Sequence, residues 1–339
     1  MKRMKWRAAA GGLLVAAMCC GLCLSGCSSD DTIVLRFADT ANDGEPDAVG
    51  NEYFAQLVEE RTNGRVRVEY YNASMLGADK IITQACIVGT LDMAKCSSGN
   101  FTEYSDALEF SELPGIFQDV EHARRVFYDE EIRQEVSQAI YDDTTLTVVM
   151  YDLDSGAPRV IGTTSKEMRV PSDMQGVKVR TTGSPLENAL YAAWGANAVT
   201  VDFSELYTAL QQNLIDSIYL QANWINSSML QENLSYITPT DQSYVVSVKV
   251  MSQDAVEKLG PELLDIVLEC GKEAEAYKDE LWDAHNEAVY EAIGQSSEIL
   301  ELTEEEQREW DEASQVLWDE FVGTSISQEL VDKIAALEH

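Results

Sequence analysis

The residues that first suggest chemistry are Arg180 and Tyr219. Residues 176–180 (GVKVR) alternate apolar and polar side chains as a short strand does, and Arg180 ends the run. Residues 217–220 (SIYL) predict another strand, with Tyr219 near its end. Because ligands in open parallel sheets bind beyond the carboxyl ends of the strands, we expect both residues to border a binding site. The alternative for Arg180 taken alone is a surface arginine that ends a strand.

Strands and helices alternate around these two residues, as in an α/β unit. Ser184 and Pro185 are typical of a helix N-cap and first turn, and Gly195 is typical of a helix end. Asp202, with Glu205 three residues later, predicts a capping box. The elements expected in this unit are strands at 176–180, 198–201 and 217–220 and helices at 184–194 and 203–213.

The first half of the chain shows the same alternation. A loop at 39–48, which contains Thr40, follows the first strand. The composition turns to Asp, Ser, Gly and Pro at 152–158, which predicts a crossing between two domains. Residues 244–251 are expected to form a strand that returns to the first domain. The elements expected before the crossing are strands at 33–38, 65–70, 91–94 and 145–151 and helices at 50–61, 79–88 and 121–140.

The chain beyond residue 254 is expected to be helical and acidic, without strands. Gly260 and Pro261 predict a break between two helices. Thr303 with Glu306 predicts another capping box, at the start of a helix that packs through Trp310. Helices should therefore make up most of the C-terminal quarter.

Length and charge limit the possible functions. The 339-residue chain can hold two domains with separate cores, and its 45% apolar content is typical of a globular protein. Its 59 acidic and 24 basic residues give a formal net charge of −35. Such a surface excludes binding of nucleic acid or anionic lipid through bulk electrostatics. Any site for an acid must therefore reverse the sign of the charge locally.

The N-terminal residues are typical of a bacterial lipoprotein signal peptide. Four basic residues precede an apolar run at 8–24, and residues 24–27 (LSGC) have the form of a lipobox. The alternative is a transmembrane helix, because about 17 apolar residues is close to the shortest span. We expect a signal peptide at 1–26, lipidation of Cys27 and a tether at 27–32. The protein should then be exported and held at the membrane.

The sequence gives little support for catalysis or a cofactor. The three histidines are isolated and lack the spacing of metal ligands. No nucleophile elbow, P-loop or dinucleotide-binding glycine pattern occurs. Three cysteines follow residue 27, and this odd number does not indicate a disulfide framework, although a Cys86–Cys96 bridge is left open. We therefore expect no metal, no cofactor and no enzymatic activity.

Six segments match the pattern of one known family in order and spacing, over essentially the whole chain after residue 27. They are 71–77 (YNASMLG), 89–92 (GTLD), 113–114 (LP), 170–180 (VPSDMQGVKVR), 194–197 (WGAN) and 203–213 (FSELYTALQQN). In these segments the chain resembles the substrate-binding proteins of tripartite ATP-independent periplasmic (TRAP) transporters, the DctP-like family. The resemblance implies an α/β, two-domain periplasmic-binding-protein fold of type II, with a ligand cleft between the domains and long C-terminal helices. It also implies a small organic acid as ligand.

The resemblance implies roles for three residues. The arginine at the position of Arg180 forms a two-pronged salt bridge with the ligand carboxylate in that family, a geometry that a lysine cannot reproduce. Arg159 is the candidate for a second family arginine, although residues 156–159 (GAPR) have one residue more than the usual spacing. Phe203 falls where the family often packs a ring against the ligand, and core packing is the alternative.

The chain also departs from the family pattern. Tyr219 and Leu220 replace a common glutamate and asparagine, and Ser97 stands where sialic-acid-type members carry a glutamate. We therefore expect a less acidic and more apolar pocket, suited to a simple carboxylate with an apolar or aromatic body. The expected ligand-binding residues are Arg180, Arg159, Phe203, Tyr219, Thr40 and Ser97.

Together these features predict a lipid-anchored, monomeric solute-binding protein that captures a small organic acid and delivers it to a TRAP membrane permease. The alternatives are a ligand-sensing partner of a membrane receptor and, with less support, an exported enzyme that acts on a small acid. No nucleic-acid partner is expected. The expected domains are residues 33–156 plus about 246–284, and residues 157–245 plus about 285–335.

Overall fold

The computed structural model describes residues 32–337. Cys27 and the expected signal peptide lie outside the described residues. The strands are β1 Ile33–Ala38, β2 Val66–Tyr71, β3 Met93–Ser97, β4 Thr147–Leu153, β5 Arg159–Thr163, β6 Lys178–Thr181, β7 Asn197–Thr200, β8 Ser217–Gln221, β9 Tyr236–Pro239, β10 Val246–Met251 and β11 Glu298–Ile299. The helices are α1 Pro46–Arg61, α2 Asp79–Ile87, α3 Ser98–Phe101, α4 Val120–Tyr128, α5 Glu130–Thr144, α6 Pro185–Ala193, α7 Leu206–Gln211, α8 Ala222–Ser227, α9 Gln253–Ile293, α10 Glu304–Ser314, α11 Val316–Phe321 and α12 Gln328–Ala335.

The first sheet has five strands in the order β2-β1-β3-β10-β4. β1 is parallel to β2 and β3, and β10 lies antiparallel between β3 and β4. The expected return of residues 244–251 to the sheet of the first half is therefore confirmed. The returning strand places polar side chains such as Ser247 and Lys249 beside those of β3 and β4.

The second sheet has six strands in the order β11-β9-β5-β8-β6-β7. β6 is parallel to β7 and β8, whereas β5 is antiparallel to β8 and β9. The sequence interpretation missed β5, β9 and β11, and it was wrong to expect no strand beyond residue 254. β11 spans two residues, too few to show any periodic pattern.

Helix boundaries follow local capping chemistry. The helix expected at 121–140 is two helices, because the Asp129 side chain accepts a hydrogen bond from Ile132 N and starts α5 anew. Ser184 caps α6 as expected, and Thr303 caps α10 in a capping box with Glu306. The capping box expected at Asp202 is wrong, because that side chain makes no cap hydrogen bond and a 3-10 turn follows it.

The long helix α9 packs against both sheets. Gly260 breaks its regularity with φ 66°, in the left-handed region, and this confirms the break expected at Gly260 and Pro261. Leu263 and Val267 pack in a core cluster with residues of the first sheet, and Ile293 packs in a cluster with residues of the second. α9 therefore provides the long C-terminal helix that the family resemblance implied.

The three cysteines after residue 27 are all buried and free. The Cys86–Cys96 bridge that the sequence left open is therefore not formed in this structure. Burial raises the pKa of all three thiols above their ordinary value. They act as small apolar core residues in this fold.

Candidate functional site

A small cavity lies where the two sheets face each other. Residues of the first sheet and its connections contribute Thr40, Asp79, Lys95, Ser97, Asn100, Asp154 and Val245. Residues of the second sheet and its connections contribute Arg159, Arg180, Thr182, Phe203, Leu220, Gln221 and Trp224.

Arg180 lies in β6, and the residue is 6% exposed. Its Nε donates a hydrogen bond to the carbonyl of Val201 at 2.9 Å, which fixes the guanidinium plane. Within residues 32–337, the two terminal nitrogens make no hydrogen bond, and no carboxylate lies within 4.0 Å of the group. Burial lowers the pKa of Arg180, with Glu187 the main opposing charge. The outer edge of this guanidinium is therefore a buried cation that can receive an anion.

Arg159, the first residue of β5, has the opposite environment. Its Nη1 donates to Glu187 at 2.5 Å and its Nη2 donates to Glu112 at 3.2 Å. Burial opposes the charge of Arg159, but the two carboxylates outweigh it and raise the pKa of the guanidinium. Both terminal nitrogens of Arg159 are thus already engaged by carboxylates of the protein.

The two carboxylates around Arg159 are held by neighbouring hydroxyls. Glu187 accepts from the side chains of Thr181 and Thr182, and Glu112 accepts from those of Ser98 and Ser184. Burial, reinforced by the charge of Glu187, raises the pKa of Glu112 to about 7. Burial also opposes ionisation of Glu187, but Arg159 outweighs it and lowers that pKa to about 2. One full negative charge is therefore secured beside Arg159.

A second cation, Lys95 of β3, lies on the wall that the first sheet contributes. Its Nζ is 3.6 Å from Asp79 and 3.7 Å from Asp154, and it lies 5.6 Å from the centre of the Trp224 ring. Burial opposes the charge of Lys95, but the two carboxylates raise its pKa above the ordinary value. Lys95 is thus a charged residue balanced by two aspartates.

Thr40 and Ser97 line the cavity, and both donate to Asp79, at 3.1 and 2.9 Å. Asn100 and the backbone N–H of Ser97 donate to the same carboxylate. Burial opposes ionisation of Asp79, but Lys95 and these hydrogen bonds outweigh it and lower its pKa. Thr40 and Ser97 therefore hold a fixed negative charge in the wall.

Phe203 lines the cavity and stacks edge to face on Trp224 at 5.3 Å, so both the ligand-facing and the packing interpretation describe its position. Leu220 and Val245 extend this apolar wall. The expectation of a more apolar pocket holds for this wall alone. Five charged side chains line the rest of the cavity: Asp79, Lys95, Asp154, Arg159 and Arg180.

Tyr219 does not line the cavity. It packs against Tyr191 and Trp194 on the face of β8 opposite Leu220, and the guanidinium carbon of Arg159 lies 5.6 Å from its ring centre. Alternation along a strand sends neighbouring side chains to opposite faces, so Leu220 borders the cavity and Tyr219 supports Arg159 from the core side. The strand itself was correctly expected, but Tyr219 lies at its centre rather than near its end, and its side chain faces away from the cavity.

Several cavity residues were missed from the sequence. Lys95 lies in an apolar strand that was expected to end at residue 94, and Asp79 was taken as an ordinary residue at the start of a helix. A charged residue inside an apolar strand is a usable signal, because burial of a lysine requires a partner. Asp154 and Trp224 carry no comparable local signal.

Among residues 32–337, no group of three or more histidine, cysteine or acidic residues is arranged to hold a metal ion. In the same part of the chain, no helix is long and apolar enough to cross a membrane.

Residues 37–324 match the family model for bacterial extracellular solute-binding protein, family 7, named DctP. The chain belongs to this family. This membership, with the relatives below, makes it a DctP-like substrate-binding protein of the TRAP type. The family resemblance inferred from the sequence is confirmed.

Relatives and solved structures share most of their length with the chain. The 2,3-diketo-L-gulonate-binding periplasmic protein of Escherichia coli K12 is 26% identical over 278 residues, covering 82% of each chain. The C4-dicarboxylate-binding periplasmic protein of Rhodobacter capsulatus is 26% identical over 313 residues, covering 91% of this chain and 92% of the relative. A TRAP periplasmic solute-binding protein from Sulfurospirillum deleyianum with bound succinate superposes with a TM-score of 0.83 at 25% identity, covering 90% and 99%. The two-domain α/β fold of this class is therefore confirmed.

Proposed function

We propose that the protein is an extracytoplasmic lipoprotein that captures a small organic acid and delivers it to a TRAP-type membrane permease. Arg180 carries this proposal, because it is a buried guanidinium in a cavity between the two sheets and has no carboxylate within 4.0 Å among residues 32–337. A carboxylate ligand supplies the missing counter-charge through two parallel N–H···O bonds. Relatives that bind 2,3-diketo-L-gulonate, C4-dicarboxylates and succinate support an acid as ligand.

The other residues expected to bind the ligand contribute less directly than Arg180 in this proposal. Phe203 packs against the body of the acid, and Thr40 and Ser97 orient Asp79 at the opposite wall. Arg159 assists by maintaining the charge pattern beside Arg180, since its own donors are engaged by Glu112 and Glu187. Tyr219 supports Arg159 from below, as described above.

The ligand class is tested by thermal unfolding of the purified protein against a panel of carboxylic, neutral and cationic solutes. A ligand at about a thousand times its dissociation constant adds roughly 4 kcal/mol to the free energy of unfolding, which is easily visible. In Arg180→Lys, we expect the affinity for the acid to fall about 10- to 100-fold, because two charge-assisted hydrogen bonds are replaced by one.

The matched control is Arg169→Lys, whose side chain is 41% exposed and paired with Glu167 on the surface. It should leave affinity unchanged. Shifts from neutral or cationic solutes alone, or equal acid affinity in Arg180→Lys and the wild type, would refute the carboxylate proposal. Recovery of unaltered acid from the complex distinguishes binding from turnover.

The lipid anchor is proposed at Cys27, which follows Leu24, Ser25 and Gly26. We expect intact-mass analysis of the protein from bacterial membranes to show a diacylglyceryl modification, and Cys27→Ala to release the protein from the membrane fraction. Cys23→Ala is the control, since this cysteine lies within the apolar run. An unmodified Cys27 in a membrane-bound protein would contradict the anchor.

Delivery and closure belong to the same proposal. The proposed domains, 33–156 plus about 246–284 and 157–245 plus about 285–335, would close around the acid, and the closed form is stabilised because it binds the acid more tightly. Vesicles that contain the permease should take up the acid only when this protein is present. We expect the protein to act there as a monomer. Loss of uptake in Arg180→Lys, with the protein still folded, is the expected result, whereas acid-dependent receptor signalling without uptake would favour a sensor.

A further inference from the structure

The cations that line the cavity differ in how many carboxylates already lie close to them. Three cations line it, Arg159, Arg180 and Lys95. Two carboxylates engage Arg159, and two flank Lys95. Arg180 alone among these cations has no carboxylate within 4.0 Å in residues 32–337. Arg180 is therefore the place in the cavity where a ligand anion meets a cation that no nearby carboxylate already balances.

Lys95 is balanced in charge but not in hydrogen bonds. Its Nζ lies beyond hydrogen-bond distance of both aspartates, at 3.6 and 3.7 Å, and it donates to no other group in the described part of the chain. An ammonium carries three N–H donors, and a buried donor that stays unpaired is costly. Lys95 therefore presents free donors to a ligand in the same cavity as Arg180.

The two aspartates beside Lys95 are not equivalent. Asp79 is saturated, because Thr40, Ser97 and Asn100 all donate to it. Asp154 accepts from Ser247 on Oδ1, at 2.7 Å, whereas its Oδ2 accepts no hydrogen bond within the described residues. The wall thus presents unused N–H donors and an unused carboxyl oxygen side by side.

A ligand hydroxyl group pairs with both the Lys95 ammonium and the free Asp154 oxygen, because it accepts from an ammonium and donates to a carboxylate. A second carboxylate accepts from Lys95 but brings its charge against Asp79 and Asp154, and a methyl or methylene group satisfies neither. We propose that the Lys95–Asp154 pair selects for acids with a single carboxylate and a hydroxyl-bearing body, and against dicarboxylates and unsubstituted fatty acids. This inference rests on the proposed function, in which Arg180 binds the carboxylate.

Two matched sets of acids test the inference by calorimetric titration at pH 8. At this pH the ligand acids are fully ionised. Asp154 is largely ionised as well, because this pH is above its pKa, which burial raises to about 7. The four-carbon set is erythronate, butyrate, tartrate and succinate, and the six-carbon set is gluconate, hexanoate, galactarate and adipate. In at least one set, the hydroxylated monocarboxylate should bind about tenfold or more tightly than each of the other three.

Variants identify the residues responsible. Lys95→Met should remove the preference for the hydroxylated over the unsubstituted monocarboxylate. Asp154→Asn should reduce the ratio of monocarboxylate affinity to dicarboxylate affinity at least about threefold. Lys80→Met is the matched control, since Lys80 pairs with Glu103 outside the cavity. If Lys95→Met does not fold, Asp154→Asn and the wild-type series still decide.

The results separate this inference from the proposed function. Tightest binding of a dicarboxylate, equal binding of unsubstituted and hydroxylated monocarboxylates, or an unchanged gap in Asp154→Asn would overturn the Lys95–Asp154 inference while leaving Arg180 as the anchor. Binding of no acid, or acid binding equal in the wild type and Arg180→Lys, would overturn the proposed function and this inference with it.

Discussion

Arg159 and Arg180 are both buried arginines of the second sheet, and they line the same cavity. Arg159 is paired with Glu112 and Glu187, whereas Arg180 donates one hydrogen bond to a backbone carbonyl and has no carboxylate partner in residues 32–337. One sheet thus provides the cavity with a structural cation and with a cation suited to a ligand. The difference teaches that the partners of a buried arginine, rather than its burial, indicate its role.

The largest effect should come from removing the paired arginine. Arg159→Met leaves Glu112 and Glu187 buried without their cation, and we expect the ligand-free protein to lose about 3–5 kcal/mol in the free energy of unfolding. Urea denaturation measures this loss. The control Arg169→Met, at an exposed ion pair, should cost less than about 1 kcal/mol. Equal losses in the two variants would contradict the structural role of Arg159.

A smaller effect concerns pH. The pKa of Glu112 is raised to about 7 in the folded state, by burial and by repulsion from Glu187, from an ordinary 4.5. Because the folded state binds this proton more tightly, its stabilising contribution is complete below about pH 4.5 and is lost as the pH rises through 7. Between pH 5 and 8, the wild type should lose on the order of 2 kcal/mol more than Glu112→Gln does.

Urea denaturation at several pH values gives the free energy of unfolding of the wild type and of Glu112→Gln. In the difference between the two proteins, the contributions of the other titratable groups cancel. The control is Glu305→Gln, whose side chain is 68% exposed, and it should follow the wild type. If Glu112→Gln also follows the wild type, burial and the charge of Glu187 do not raise the pKa of Glu112 as described.

The smallest effect on stability is expected at Arg180. Arg180→Met removes a buried charge that has no carboxylate within 4.0 Å among residues 32–337, but it also leaves the Val201 carbonyl without its donor. These two changes oppose each other, so the ligand-free free energy of unfolding should stay within about 1 kcal/mol of the wild type. A loss as large as that of Arg159→Met would remove the distinction between the two arginines.

Much of the fold was predictable from the sequence because its signals are local. β1 was expected at its observed bounds, and the helix start at Ser184 and the break at Gly260 follow from capping and backbone chemistry. β5 and β9 were missed because both pair antiparallel with strands that are distant in sequence, which no local pattern reports.

The site was predictable in part, for a related reason. Arg180 could be identified from its own neighbourhood, an alternating run of residues at 176–180, with the family pattern to support it. Lys95 and Asp154 lie 59 residues apart and meet only because β10 returns between β3 and β4. Glu112 and Glu187 reach Arg159 from two separate elements. Such charge balances depend on tertiary contacts, and the sequence alone could not distinguish the paired arginine from the unpaired one.

A crystal structure of the protein with the tightest-binding acid from the screen tests the central claim most directly. The account predicts the ligand carboxylate on both terminal nitrogens of Arg180, at about 2.7–2.9 Å, with Arg159 still held by Glu112 and Glu187. A carboxylate bound to Arg159 or Lys95, with the Arg180 guanidinium away from the ligand, would contradict it.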